Sequence, residues 1–205
     1  RIGAALLAHG GMTPALDRLV GAGLPRLTLP VPLPDPFRPD LESGRWLHRL
    51  GLDPARPTIG MVGKLAAGRG FELLLDAAAR IPAAPQVVVV GHGELQHDLE
   101  RRARRLGLTA TLRFAGYVGA ELPELYAALD VALVLAPGSD HGHRAVSEAQ
   151  GCGRPVVCAR FAGIAELVRD GVTGLVAAPT ADSIAAAVQQ LLAGPATAAA
   201  VAAAG

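Results

Sequence analysis

Aromatic residues are scarce in this chain. One tryptophan, two tyrosines and four phenylalanines make up 3% of 205 residues. That leaves too few rings for a platform on which successive bases stack. An excess of positive charge is missing too. The formal net charge is +1 at pH 7, which argues against a dedicated nucleic-acid binder. Two cysteines, Cys152 and Cys158, do not make the disulfide framework of a small secreted scaffold. They fall at an expected helix end and in an expected strand, where small buried thiols are common, and they point to a reducing cytoplasm. No run of about 18 uninterrupted apolar residues occurs, so no membrane-spanning helix is expected. The apolar patch from Ala4 to Ala8 is short and lacks signal-peptide organisation.

What is present is apolar mass in a strand-and-helix rhythm. Hydrophobic residues reach 51%, enough for one well-buried core. The chain opens at Arg1 and closes in the alanine-rich stretch from Ala198 to Gly205. Both ends read as cuts, and the tail reads as part of a terminal helix. Pro25, Pro30, Pro32, Pro34, Pro36 and Pro39 crowd one short stretch. Such density removes backbone donors and blocks regular helix, so residues 1–44 end in a semi-rigid extended linker. Thr13 and Pro14 suit the start of a short helix reaching Leu19.

From residue 45 to 205 strands and helices alternate. Expected strands are 58–62, 86–90, 112–114, 131–135, 155–159 and 174–176. Expected helices are 71–81, 94–106, 122–129, 145–150, 164–168 and 181–192. Four consecutive valines, Val87 to Val90, suit a strand buried on both faces. The alternation predicts an α/β domain, a Rossmann-like parallel sheet with helices on both faces. Ligands in such sheets bind beyond the carboxyl ends of the strands, where the strand order reverses. The loops just after strands therefore hold the candidates.

The first such loop is Gly63-Lys64-Leu65-Ala66-Ala67-Gly68-Arg69-Gly70. Glycines let backbone N–H groups approach an anion, and a helix start adds positive partial charge. Lys64 and Arg69 can then clamp a diphosphate; a solvated surface loop fits the same pattern. The second loop, Gly91-His92-Gly93-Glu94, starts like a dinucleotide fingerprint, but Gln96 stands where the third glycine belongs. A tight strand-to-helix turn is its simpler explanation. Gly116, Tyr117 and Val118 follow another strand. On spacing alone they form a loop whose backbone can meet a planar base.

The densest polar stretch runs from Pro137 to Glu148 and contains Asp140, His141, Gly142, His143, Arg144 and Val146. Asp140 lies before a helix and Glu148 within it. A carboxylate among small and apolar neighbours needs a partner, such as vicinal hydroxyls of a ribose. His141 and His143 are two positions apart with no cysteine or third histidine nearby, so no metal site is expected. The arginines of Arg101-Arg102-Ala103-Arg104-Arg105 can meet anionic lipid at the inner face of a membrane. Glu94, Asp98 and Glu100 offset them, which favours a solvated helix face.

These motifs in this order resemble the C-terminal domain of the GT-B glycosyltransferases, in the large retaining group 1 family that includes sucrose synthases and bacterial mannosyl- and glucosyltransferases. The likeness spans about Thr58 to Ala193. The family's glycine–arginine–leucine loop, with lysine–glycine after it, corresponds to Gly63-Lys64-Leu65 and Arg69-Gly70, the two cations exchanged. Its Gly-Asp-Gly corresponds to Gly91-His92-Gly93. Its two acids with seven residues between them correspond to Asp140 and Glu148. Its glycine–x–proline–valine–valine entry corresponds to Gly153-Arg154-Pro155-Val156-Val157. Gly163, Glu166, Gly171 and Gly174 fit the next signature, and Phe37-Arg38-Pro39 fits the inter-domain segment.

The resemblance implies that residues 1–44 hold the end of an N-terminal domain and a linker. It implies that residues 45–205 bind a nucleoside diphosphate sugar such as a UDP-sugar, without an obligatory metal or other cofactor. Sugar would pass with retention to a glycan, lipid or small-molecule acceptor, once the N-terminal domain is present. Lys64 and Arg69 would neutralise the departing diphosphate, Asp140 would touch the sugar, and Glu148 would hold the ribose. Gly63, Gly91, Gly93, Gly116, Tyr117, Val118, His141, Gly142, His143, Arg144 and Val146 would line the nucleotide-sugar site. Aspartate for glutamate, and His141-Gly142-His143 for glycine–phenylalanine–glycine, imply a subgroup with its own donor preference. Rivals are an epimerase or phosphorylase on the same fold, a non-catalytic nucleotide-sugar-binding subunit, and an NAD-dependent dehydrogenase.

Overall fold

The computed structural model describes residues 5–7, 26–28, 36–136, 142–161 and 167–204. Two three-residue strands, β1 (Ala5–Leu7) and β2 (Arg26–Thr28), pair in parallel as a sheet of their own. The expected helix 13–19 and most of the proline-rich run lie outside the described residues.

The main sheet contains β3 (Thr58–Val62), β4 (Gln86–Val90), β5 (Leu112–Gly116), β6 (Val131–Val134), β7 (Val156–Ala159) and β8 (Leu175–Ala177). Its order is β5-β4-β3-β6-β7-β8, and every pairing is parallel. The described helices are α1 (Gly44–Leu50), α2 (Phe71–Ala78), α3 (Gln96–Arg105), α4 (Leu122–Ala127), α5 (Gly142–Gly151), α6 (Ala181–Ala193) and α7 (Pro195–Ala204).

Strand residues alternate strictly between two cores, because successive side chains leave opposite faces of a strand. Ile59, Val87, Val89, Val131, Leu133 and Val157 join one cluster, which α2, α3 and α6 cover through Phe71, Leu74, Leu99, Ile184 and Val188. Val88, Val90, Ala132, Val134, Val156 and Cys158 join the other, which α1, α4 and α5 cover through Trp46, Leu125, Tyr126, Val146 and Ala149. The result is an α/β sheet buried on both faces, as the valine run predicts.

The expected elements fall close to their places, with two differences. β5 extends to Gly116, so this glycine ends a strand rather than opening a loop. α5 starts at Gly142, three residues before the expected start, so His143 and Arg144 lie in its first turn. Helix α1 is not apparent in the sequence, where Gly44-Arg45-Trp46-Leu47-His48-Arg49-Leu50 gives only two turns of pattern; Trp46 buries itself against the second core. The expected helix 164–168 lies largely outside the described residues, while the alanine tail is helical as α7. In the arginine run, Arg101 pairs with Asp98, and Arg102 Nε donates to Asp76 Oδ1 at 2.8 Å, tying α3 to α2. That bonding suits a solvated, cross-linked helix face.

At the sheet's amino edge a buried amide fastens the entry to β3. Gln86 Oε1 accepts from Asp53 N at 2.8 Å, and its Nε2 donates to Asp53 O at 2.9 Å and Thr58 Oγ1 at 3.2 Å. Gln86→Leu should strand these partners in a buried site and destabilise the chain by about 1–3 kcal/mol, read as a Tm several degrees lower. The two thiols are free and buried, and burial raises Cys152 to about 11 and Cys158 to about 12. Thiolate is the reactive form, so both should resist Ellman's reagent at pH 8 in the native chain and react promptly in denaturant. Rapid native labelling would contradict their burial.

Candidate functional site

The strand order determines where a ligand can sit. The chain steps outward from β3 to β5, then returns to β6 on the other side of β3. In sheets of this kind the ligand crevice is expected beyond the strands that flank the reversal, here β3 and β6; residues 137–141, after β6, lie outside the described residues.

The first wall is a pair of interlocked loops. Gly63 N donates to Val90 O at 2.9 Å, Leu65 N to His92 O at 3.0 Å, and Leu95 N to Leu65 O at 3.0 Å. The β3–β4 ladder thus continues past the ends of both strands. A Cβ at Gly91 (φ 129°) would stand 1.9 Å from the Gly63 carbonyl oxygen, and one at Gly93 would stand 2.2 Å from that of Leu65. Backbone packing alone requires glycine at both positions, so their identity is not a sign of ligand contact. Gly70, at φ 87°, caps α2 and offers no side chain to its first-turn N–H groups. Those donors lack intrahelical partners and favour an anion. Beside them Lys64 is exposed and Arg69 half-buried.

The next loop adds an aromatic pair. Tyr117, directly after β5, is 76% exposed. Its ring centroid lies 5.8 Å from that of His92 at an interplanar angle of 71°. Gly116 O accepts from Gly91 N at 2.8 Å, which aligns the two strand ends, and Val118 is half-buried behind them.

Helix α5, the first described element after β6, carries a buried charge. The Glu148 side chain is 6% exposed. Arg144 Nε, one turn toward the helix start, donates to Glu148 Oε1 at 2.7 Å. The Tyr126 hydroxyl on α4 donates to Glu148 Oε2 at 3.2 Å. Burial raises the Glu148 carboxyl above its ordinary value, while the Arg144 charge and both hydrogen bonds pull it back down. The Tyr126 phenol is raised well above its ordinary value by its own burial and then by the nearby carboxylate. Its ring packs edge-on to Phe37 at 6.2 Å.

The expected site residues therefore gather at one edge of the sheet, with some exceptions. Asp140 and His141 lie outside the described residues, and Gly142 and His143 begin α5. Val146, expected at the site, has its side chain fully buried in the second core, where it anchors α5. Tyr126 was missed. A tyrosine on the apolar helix face Leu122, Leu125, Tyr126 must find a polar partner when buried, and Glu148 needed a donor. Among the described residues no three His, Cys, Asp or Glu side chains converge as metal ligands, and no helix is long and apolar enough to cross a membrane.

A cavity of about 870 Å³ lies elsewhere, at the amino edge, between Arg56, Pro57, Asp130, Arg154, Pro155 and Ala198. Its polar groups are already occupied. Arg154 Nε donates to Cys152 O at 3.1 Å, Arg56 donates to Ala84 O at 2.6 Å, and Asp130 accepts from Thr58 N at 2.7 Å. The carboxyl edge is the better candidate because Lys64, His92 and Tyr117 are exposed there.

Known proteins share this arrangement. Residues 56–194 match the family described as Glycosyl transferases group 1. A D-inositol 3-phosphate glycosyltransferase of Geodermatophilus obscurus is 39% identical over 168 residues, 74% of this chain and 37% of its own. The lipopolysaccharide core biosynthesis glycosyltransferase LpsE of Rhizobium meliloti is 33% identical over 138 residues, 67% of this chain and 40% of its own. The chain thus spans about two-fifths of the length of these relatives. Among solved structures, Anabaena HepE in complex with UDP superposes with a TM-score of 0.86 at 23% identity, covering 98% of this chain and 57% of that one. Sucrose-phosphate synthase from Thermosynechococcus elongatus does so with 0.83 at 26% identity, covering 97% and 51%. With the strand order and the family match in agreement, the chain belongs to the group 1 glycosyl transferases and has the fold of the C-terminal domain of the GT-B enzymes.

Proposed function

We propose that this chain is the donor-binding half of a two-domain enzyme that transfers a sugar, with retention, from a nucleoside diphosphate sugar to an acceptor. The carrying observation is Glu148: a buried carboxylate on α5 with a hydrogen-bond donor on each oxygen. An ionised carboxylate offers about four acceptor sites. Tyr126 and Arg144 use one on each oxygen. One more on each remains, which suits the two hydroxyls of a ribose. The first-turn N–H groups of α2, with Lys64 and Arg69, then take the diphosphate and neutralise charge as it departs, an electrostatic role that needs no covalent intermediate. In this reading no metal is called for.

UDP is the favoured nucleotide, because HepE structures are described with UDP and with UDP-glucose. Tyr117 and His92 stand where the base would lie, and Asp140 with His141 and His143 would meet the sugar. Residues 1–44 are the end of an N-terminal domain and its linker, which fits the separate β1–β2 sheet. Residues 45–205 are the nucleotide-sugar domain. The acceptor would be bound mainly by the remainder of the enzyme, which works on the cytoplasmic side. An NAD-dependent dehydrogenase is disfavoured by Gln96 in the third glycine slot.

Calorimetric titration with UDP, GDP, ADP and NAD tests this. UDP should bind. Glu148→Ala should weaken it by about 10- to 150-fold, as expected for losing hydrogen bonds to a charged group. Binding of NAD alone would sink the proposal. Tyr117→Ala should weaken UDP by about 1–3 kcal/mol if the base stacks there, and unchanged affinity would remove Tyr117 from the site.

A further inference from the structure

The Tyr126–Glu148–Arg144 cluster is built more elaborately than helix packing requires. A buried carboxylate with no partner takes up a proton and becomes a donor. Glu148 has two donors from two different helices, one neutral and one permanently charged, each on its own oxygen. Arg144 is 51% exposed while its partner is 6% exposed. An arginine in that position can neutralise the carboxylate and still keep water on its far side. The Tyr126 ring is held in turn by Phe37, so its hydroxyl has little freedom to turn elsewhere.

We infer that Tyr126 and Arg144 are positioning residues. Together they keep the Glu148 carboxylate ionised and oriented, with one lone pair on each oxygen free for a vicinal diol. This rests on the donor-half reading above and adds two residues that act through Glu148 rather than on the nucleotide. Glu148 is the only group of the cluster that titrates at mildly acidic pH. Tyr126 stays a phenol, and Cys152, just past the end of α5, is held at about 11. Burial already raises Glu148, so removing either donor should raise it further. The sign follows: affinity for a diol is lost as pH falls through the Glu148 value, and each variant should lose it at higher pH than the parent chain.

Two measurements on the 205-residue chain test this. Carbon-13 NMR of the glutamate carboxyls, with Glu148 assigned by Glu148→Gln, gives the Glu148 titration in the free chain. Arg144→Leu should move its midpoint clearly upward. Tyr126→Phe, which keeps the ring against Phe37, should move it upward by less, and Arg144→Lys should restore part of the shift. UDP titrations at pH 5 to 8 give the second readout. Arg144→Leu should bind about tenfold more weakly than the parent at pH 5 and approach it at pH 8; the ionisation of UDP itself is common to both. A Glu148 midpoint unmoved by both substitutions overturns the inference, as does a loss of UDP affinity equal at every pH, which would mark Arg144 as a direct contact. A midpoint that moves in a chain that binds UDP at no pH upholds the positioning roles and overturns the donor-half reading instead.

Discussion

Parallel strands buried on both faces must be joined by helices that cross back over the sheet, and each return delivers the next strand in the same direction. All carboxyl ends of β3 to β7 therefore emerge at one edge, and all entries at the other. The chemistry divides accordingly. At the amino edge Gln86, Asp130 and Arg154 spend their polar atoms on backbone groups, which fastens strand entries and leaves little to offer a ligand. At the carboxyl edge Lys64, His92 and Tyr117 reach solvent. The reversal of strand order between β3 and β6 then separates the loops at one point along that edge. The cavity at the amino edge does not change this division, because its polar groups are already bonded to the backbone.

Rigidity at the carboxyl edge comes from the backbone. The bonds from Gly63, Leu65 and Leu95 extend the sheet's ladder into its loops, and the close approach they impose leaves no room for a side chain at Gly91 or Gly93. A loop held this way has little conformational entropy left to lose when an anion arrives at the start of α2, and preorganisation of that kind favours binding. The same glycines that look like a nucleotide fingerprint are thus required by the approach of two backbone segments. That explains why a motif missing its third glycine, at Gln96, still forms a sharp strand-to-helix turn.

Much of the fold was legible because it rests on local pattern. Val87 to Val90 could only be a strand covered on both sides, and helices α2, α3 and α6 show apolar faces at helical spacing. What stayed hidden depends on contacts between distant residues. Helix α1 is too short for periodicity to reveal, and it is held by burying Trp46 rather than by any pattern of its own. The site was legible in part. Glu148 stood out as a carboxylate among small residues, yet nothing local linked it to Tyr126, which is 22 positions away and becomes a neighbour only when α4 and α5 lie side by side. Val146 misled because its place within the motif suggested ligand contact, whereas helical spacing turns it into the core.

The remaining step concerns how a mostly apolar domain tolerates its buried carboxylate. Removing a charge from water is expensive, and an ion pair alone seldom repays it unless further hydrogen bonds complete the site. Here the pair is lopsided, with Arg144 half in solvent and Glu148 almost wholly out of it. Arg144 therefore surrenders little hydration, and nearly all of the desolvation falls on Glu148. Tyr126 offsets part of that penalty from the opposite side. Among the described residues only Tyr126 and Arg144 donate to the carboxylate, one to each oxygen, which leaves acceptor capacity on both. A ligand that brings two hydroxyls can use it, and a ligand that brings none cannot. On the proposed ribose role of Glu148, selectivity for a diol would follow from that leftover capacity, kept in place by the packing of α4 against α5.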